Sequence, residues 1–174
     1  MTEPSLSDPI LTLRPWAPAD AEAIVECIDG DPEIARWLDQ VPQPYSLEDA
    51  KAYISGLGEQ AFAIVENETG RVVGSIGFGP VTDGVGEIGY WLRADARGRG
   101  LGTRALALIS RWAVARGDVS RVQLRADPEN EASCRVAEKA GFQREGVLRS
   151  AHWNPRLGRR QDWVMYSLLP SDLA

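Results

Sequence analysis

The sequence has two cysteines, one histidine and no long apolar run, and each shortage closes off a class of function. Cys27 and Cys134 stand far apart, outside any C-x-x-C pattern and without histidines at ligand spacing. Neither a disulfide framework nor a metal site is expected, and both thiols are expected in the core. No stretch approaches the ~18 apolar residues of a membrane span, and the opening MTEPSLSDP lacks the basic, apolar character of a secretory leader. A cytoplasmic protein with no membrane partner is the expectation. A basic surplus is missing as well: the net charge is −6, the wrong sign for a nucleic-acid footprint but suited to a cationic partner such as an amine. There is no internal repeat or linker, and 174 residues that are 44% hydrophobic and 25% charged fit one soluble globular domain, 1–174.

What is present reads as alternating strands and helices. Ile10 to Pro15 alternates as a first strand, and Ala23, Ile24, Cys27 and Ile28 fall at helical spacing before Gly30. Asp31 followed by Pro32 reads as a helix start, and Ser46 with Asp49 three residues later reads as a capping box. From Gln60 the period becomes two, and AFAIVEN, RVVGSIGFGP and EIGYWLR form an antiparallel meander. Leu101, Ala105, Ile109 and Trp112 then share one helical face, with Gly117 at the C-cap position. RVQLRA is a strand, NEASCRVAEKAGF a helix stopped by Gly141, and FQREGVLR and RQDWVMYSLL two antiparallel strands joined by a long loop that holds His152. The segment from Tyr90 to Val122 is a strand, helix, strand unit, so its strands should be parallel within a mixed sheet. The fold class is mixed α/β. The six tryptophans are expected mostly as core anchors, with Trp37 and Trp153 placed nearest an acceptor.

The chemistry concentrates in LRADARGRGLGTRAL, where Gly98, Gly100 and Gly102 alternate among arginines just before a helix. Such spacing lets backbone N–H groups approach an anion, and the helix N-terminus adds unpaired donors and a positive dipole end. A phosphate compound is the expected ligand. Gly100 to Ala105 also satisfies G-x-G-x-x-A, and Asp127 lies at the distance of a ribose-binding acid. A dinucleotide fold would need the first glycine directly at a strand end and several successive crossovers, and only one crossover is present. No G-K-[ST] follows, so a Walker loop fails. A bland arginine-rich turn remains the plain alternative.

RGRGLG also reads as [RQ]-x-x-G-x-[GA], with GEIGYWL before it and N-x-x-S, E-K-x-G-F and E-G-x-x-R after it. In these motifs, over nearly its whole length, the chain resembles the GCN5-related N-acetyltransferases, on their RimJ/RimL-like branch. The resemblance implies a central, mostly antiparallel sheet of about seven strands, flanked by helices, with a V-shaped splay between the fourth and fifth strands. It implies acetyl-CoA as co-substrate without a metal, and a primary amine as acceptor, either a protein N-terminus or a small molecule. Transfer would be by direct attack in a ternary complex. A non-catalytic acyl-CoA-binding or sensing module is the alternative reading, and a homodimer is left open.

The same resemblance assigns roles. Backbone groups of Tyr90, Trp91, Leu92 and Arg93 would pair with the pantetheine arm. The N–H groups of Arg97, Gly98, Arg99, Gly100, Leu101, Gly102 and Thr103 would hold the pyrophosphate, with the Arg97 or Arg99 side chain adding charge. Asn130 would bond the pantetheine, although its type also suits a plain N-cap. Ser133, one turn on, would sit near the sulfur and protonate the departing thiolate. Glu87 and His152 are both candidates for the base that takes the amine proton, with ordered water as a third, and a backbone N–H at Trp91 or Leu92 would hold the oxyanion.

Overall fold

A computed structural model describes residues 5–58 and 60–173; Met1–Pro4, the first part of the stretch read for a leader, and Ala174 lie outside them. The elements are β1 (Leu6–Ser7), β2 (Leu11–Pro15), α1 (Ala21–Ile28), α2 (Pro32–Trp37), α3 (Leu47–Gly56), β3 (Ala61–Glu66), β4 (Val72–Phe78), β5 (Val85–Leu92), α4 (Leu101–Ala115), β6 (Arg121–Ala126), α5 (Glu131–Lys139), β7 (Gln143–Asn154) and β8 (Arg159–Leu168). Short 3-10 turns precede α1 and α4 and close the chain. The strands form one open, eight-stranded mixed sheet in the order β1-β2-β3-β4-β5-β6-β8-β7. That is one strand more than expected, because the brief β1 pairs with β2.

Residues cluster into two compact units. One is built from the chain up to Gly77 with Tyr90–Ala105, the other from Phe78–Gly89 with the residues from Leu106 onward. In the first, the capping signals work as read. The Asp31 carboxylate accepts from the amides of Glu33 (2.9 Å) and Ile34 (3.3 Å) to open α2, and Ser46 and Asp49 exchange bonds of 3.1 and 2.9 Å to open α3. Helical spacing buries Ala21, Ile24, Cys27 and Ile28 of α1 against Ile34, Tyr45 and Ala50, with Trp16, Tyr53 and Trp91 packed around them. β2, β3 and β4 pair antiparallel, as the period of two requires.

In the second unit, β5 and β6 are parallel, joined through α4, and paired only over Val85–Glu87 with Arg121–Gln123. Both strands continue past that point, to Leu92 and Ala126. Tyr166, Val122, Leu124 and Ile109 are fully buried, and Gly117 and Gly141 stop α4 and α5 at positive φ.

Three expectations are corrected. His152 is not in a loop: β7 runs on to Asn154, and His152 pairs with Gln161 of β8. The connection shrinks to residues 155–158 because the Asn154 side chain closes it. Its Oδ1 accepts from the amides of Arg156 (3.0 Å) and Leu157 (3.1 Å), and its Nδ2 donates to Gln161 (2.7 Å). None of the six tryptophans is buried; Trp153 is 53% exposed and the others are half-buried. Large indoles settle at core margins where the N–H can find a partner, as Trp37 does with Glu33 (2.8 Å) and Trp91 with Tyr53 (3.4 Å). Of the cysteines, Cys27 is buried and Cys134 only half-buried.

Gly74 of β4 has no room for a side chain: a Cβ there would lie 2.3 Å from the Trp91 carbonyl oxygen and 2.8 Å from Leu92 Cδ2. At Gly77 the nearest atom would be 3.7 Å away, an ordinary contact. Gly74→Ala should therefore lose about 2 to 3 kcal/mol of stability through overpacking against a fixed backbone, whereas Gly77→Ala stays within about 1 kcal/mol. Urea denaturation of the two variants checks this; equal midpoints would contradict the close approach of β4 to β5.

Candidate active site

Between β5 and α4 the chain passes through a 3-10 turn at Ala94–Ala96 and a four-residue turn, with Gly98 and Gly100 at φ of +73° and +79°. A Cβ on either glycine would meet nothing within 4 Å, so the glycines serve backbone conformation and an open face rather than internal packing. Among the described residues, no turn, cap or strand carbonyl accepts from the amides of Gly98 to Thr103; the first such bond is Arg104 N–H to Gly100 O at 3.1 Å. A run of donors without a backbone acceptor thus opens a 15-residue helix.

The arginines of the loop turn elsewhere. The Arg97 guanidinium bonds the buried Asp31 carboxylate and the Leu92 carbonyl (3.0 Å from Nε, 2.8 Å from Nη2). Arg99 pairs with Glu66, whose carboxyl is held below its usual range by hydrogen bonds from Thr69 (2.9 Å) and Arg99. Arg104 pairs with Asp8 at 2.9 Å. Arg97, Arg99 and Arg104 are thus all paired with carboxylates, while the backbone amides of the loop are not.

On β5 the Leu92 carbonyl is taken by Arg97, and the Arg93 amide donates to Val73 O (2.9 Å). Two of the backbone groups expected to pair with a pantetheine arm are therefore occupied. Those of Tyr90 and Trp91 lie on the part of the strand beyond its ladder with β6. A cleft of about 280 Å3 beside the loop is lined by Glu26, Cys27, Asp29, Asp31, Arg93 and Asp95, among others.

In the second unit the two base candidates fall at opposite ends of one chain of contacts. Glu87 accepts from Arg125 Nε (2.7 Å) and Gln123 Nε2 (3.2 Å). The Arg125 guanidinium lies 4.0 Å from the Trp163 ring centroid, and the Trp163 ring stacks on His152 at 4.8 Å and 14°. Sequence reading did not single out Gln123, Arg125 or Trp163. The signal was available: alternation in RVQLRA puts Gln123 and Arg125 on one face, and parallel pairing sets Gln123 opposite Glu87. Asn130 is an N-cap, its Oδ1 accepting from Ser133 N–H at 3.1 Å, which leaves its Nδ2 hydrogens for other use. Asp127, the apparent ribose acid, instead receives Glu129 N–H (2.8 Å) and Gln161 Nε2 (2.5 Å).

The family profile described as Acetyltransferase (GNAT) domain matches residues 11–143, most of the chain. The chain belongs to that family. It is accordingly an N-acetyltransferase, and acetyl transfer to amines is the general reaction of the GNAT enzymes. Among named relatives, an uncharacterized N-acetyltransferase p20 of Bacillus licheniformis is 28% identical, covering 94% of this chain and 95% of its own. A putative ribosomal N-acetyltransferase, YdaF of Bacillus subtilis, is 29% identical, with 91% of each chain covered. A GNAT-family acetyltransferase structure from Bacillus anthracis superposes with a TM-score of 0.86 over 95% of this chain and 98% of that one, at 21% identity, which shows the shared fold.

Burial pushes the Cys27 thiol up to about 11, so at pH 8 roughly one molecule in a thousand carries the thiolate. Native protein treated with a maleimide at pH 8 should label the half-buried Cys134 and spare Cys27, and both should react in denaturant. Rapid native labelling of Cys27 would mean the cleft beside it opens far wider than its packing against Ile24 and Ile28 allows.

Proposed function

We propose that the chain transfers an acetyl group from acetyl-CoA to a primary amine by direct attack in a ternary complex, with residues 1–174 acting as one domain. The observation that carries this is the run of unpaired amides from Gly98 to Thr103 at the start of α4, a cradle for a diphosphate. Helix-terminal N–H groups and the dipole end neutralise such an anion without a free cation.

Acetyl-CoA supplies an activated thioester carbonyl and a thiolate leaving group; the rest is the work of this chain. The amides after Arg97 hold the diphosphate. Tyr90 and Trp91, beyond the β5–β6 ladder, offer backbone groups to the pantetheine arm, and the Trp91 or Leu92 N–H takes the carbonyl oxygen as it gains charge. The Asn130 Nδ2 donates to the pantetheine while its Oδ1 caps α5. As the amine nitrogen bonds the carbonyl carbon and the C–S bond breaks, the amine proton passes to Glu87, directly or through water, while the Ser133 hydroxyl gives its proton to the sulfur and is reprotonated from water, to which Glu87 in turn releases the amine's proton. Glu87 is the better base candidate because Arg125 and Gln123 fix its carboxylate in place, whereas His152 is stacked on Trp163. The family relative named for ribosomal acetylation supports a protein N-terminus as acceptor, and Glu26, Asp29 and Asp95 on the rim of the cleft beside α1 suit a cationic amine.

Gly100→Glu puts a carboxylate where the diphosphate is read to sit, in space that is otherwise open. It should weaken acetyl-CoA binding by more than 100-fold, while the +79° φ of Gly100 costs a non-glycine residue about 1 kcal/mol and so lowers the melting temperature by a few degrees; unaltered binding by calorimetry would remove the loop from the site. Ser133→Ala should lower kcat by about 10²-fold and change the acetyl-CoA KM little, as read from CoA release with a panel of peptide and small amines. Undiminished turnover removes Ser133 as acid, and binding without turnover on any amine favours a sensing module.

A further inference from the structure

The signature arginine of the loop does not face the place where an anion would lie. Arg97 spends Nε and Nη2 on the Leu92 carbonyl, and Nη1 (3.3 Å to Oδ1) and Nη2 on the Asp31 carboxylate. Asp31 is only 8% exposed, and the same carboxylate accepts from the Glu33 and Ile34 amides that open α2. Swinging Arg97 outward to a phosphate would strand a buried carboxylate without its cation and leave the Leu92 carbonyl without its donor, both costly. The pair therefore stays closed, and its effect is geometric: it fixes the chain at the residue from which the Gly98–Thr103 amides fan out. Planar, forked donors are what allow one side chain to bind a carboxylate and a carbonyl together.

We propose that Asp31 is a positioning residue for the anion-binding loop, acting through Arg97, so that backbone amides and not the Arg97 side chain meet the acetyl-CoA diphosphate. This rests on the acetyl-CoA reading of the loop. It also joins the loop to α2, since a single carboxylate anchors both.

Asp31→Asn separates the two duties of the carboxylate. Asparagine is as good an N-cap as aspartate, so α2 is preserved, while the charge that holds Arg97 is gone. The variant should bind acetyl-CoA about tenfold more weakly by calorimetry, with a matching rise in the acetyl-CoA KM and less than a twofold fall in kcat. With S-acetylpantetheine, which lacks the diphosphate, kcat/KM should match the wild type, whereas a merely structural defect would lower it with both donors. Arg97→Gln should cost about the same tenfold alone and nothing further in the Asp31→Asn background. Wild-type affinity in Asp31→Asn, or an equal loss from Arg97→Gln in both backgrounds, overturns the proposal; the second result would make Arg97 a direct phosphate ligand. Failure of the wild-type protein to bind acetyl-CoA overturns the underlying reading instead.

Discussion

Six consecutive backbone amides held open at the start of a helix are the constraint on which the first unit is organised. Unpaired N–H groups cost free energy unless solvent or a ligand satisfies them, and they are useful only if the backbone that carries them does not wander. The chain meets the second demand with groups of its own. The positive φ of Gly98 and Gly100 turns the backbone without side chains in the way. Arg97 ties the loop's start to Leu92 and Asp31, and Arg99 ties its middle to Glu66. Each arginine is neutralised by a buried carboxylate, so the pairs give shape rather than attraction. The positive end of α4 and the amides themselves provide the attraction.

That division of labour would let an acidic chain hold the proposed diphosphate. Net charge governs encounter and solubility, not the potential within a few ångströms of a nest of N–H groups. A net charge of −6 is compatible with the proposed cradle because the loop would draw on backbone dipoles, which composition does not register.

Local structure was largely legible because it depends on neighbours in sequence. Asp31, Ser46 with Asp49, Gly117 and Gly141 all act at the helix ends where their types place them, and period-two runs became strands. The hairpin was misread because nothing in HWNPRLGRRQ announces that Asn154 will fold back on the amides of Arg156 and Leu157 while holding Gln161; proline and glycine in that stretch look like the marks of a long loop. The partners of Arg97 and Arg99 were invisible for a different reason. Asp31 lies 66 positions away from Arg97, and Glu66 lies 33 from Arg99, and no periodicity links them. A loop arginine read alone looks like a ligand for phosphate, whereas read with its buried carboxylate it is a strut.

The second unit applies the same economy to acid–base chemistry. A carboxylate proposed to take a proton from an amine has to be placed before its basicity matters, and Glu87 is held by Gln123 and Arg125 from the neighbouring strand. Arg125 is itself steadied by the face of Trp163, whose other contact is the His152 ring. The Arg125 guanidinium lies over the indole and donates to the Glu87 carboxylate at 2.7 Å, so the cation is held from both sides and has little freedom to move. The bond from Gln123 is neutral and adds direction at little electrostatic cost. Parallel pairing of β5 with β6 is what allows this, since it sets Gln123 opposite Glu87 and Arg125 two residues further along the same face. The last rung of that ladder, Glu87 opposite Gln123, is thus where the carboxylate is held.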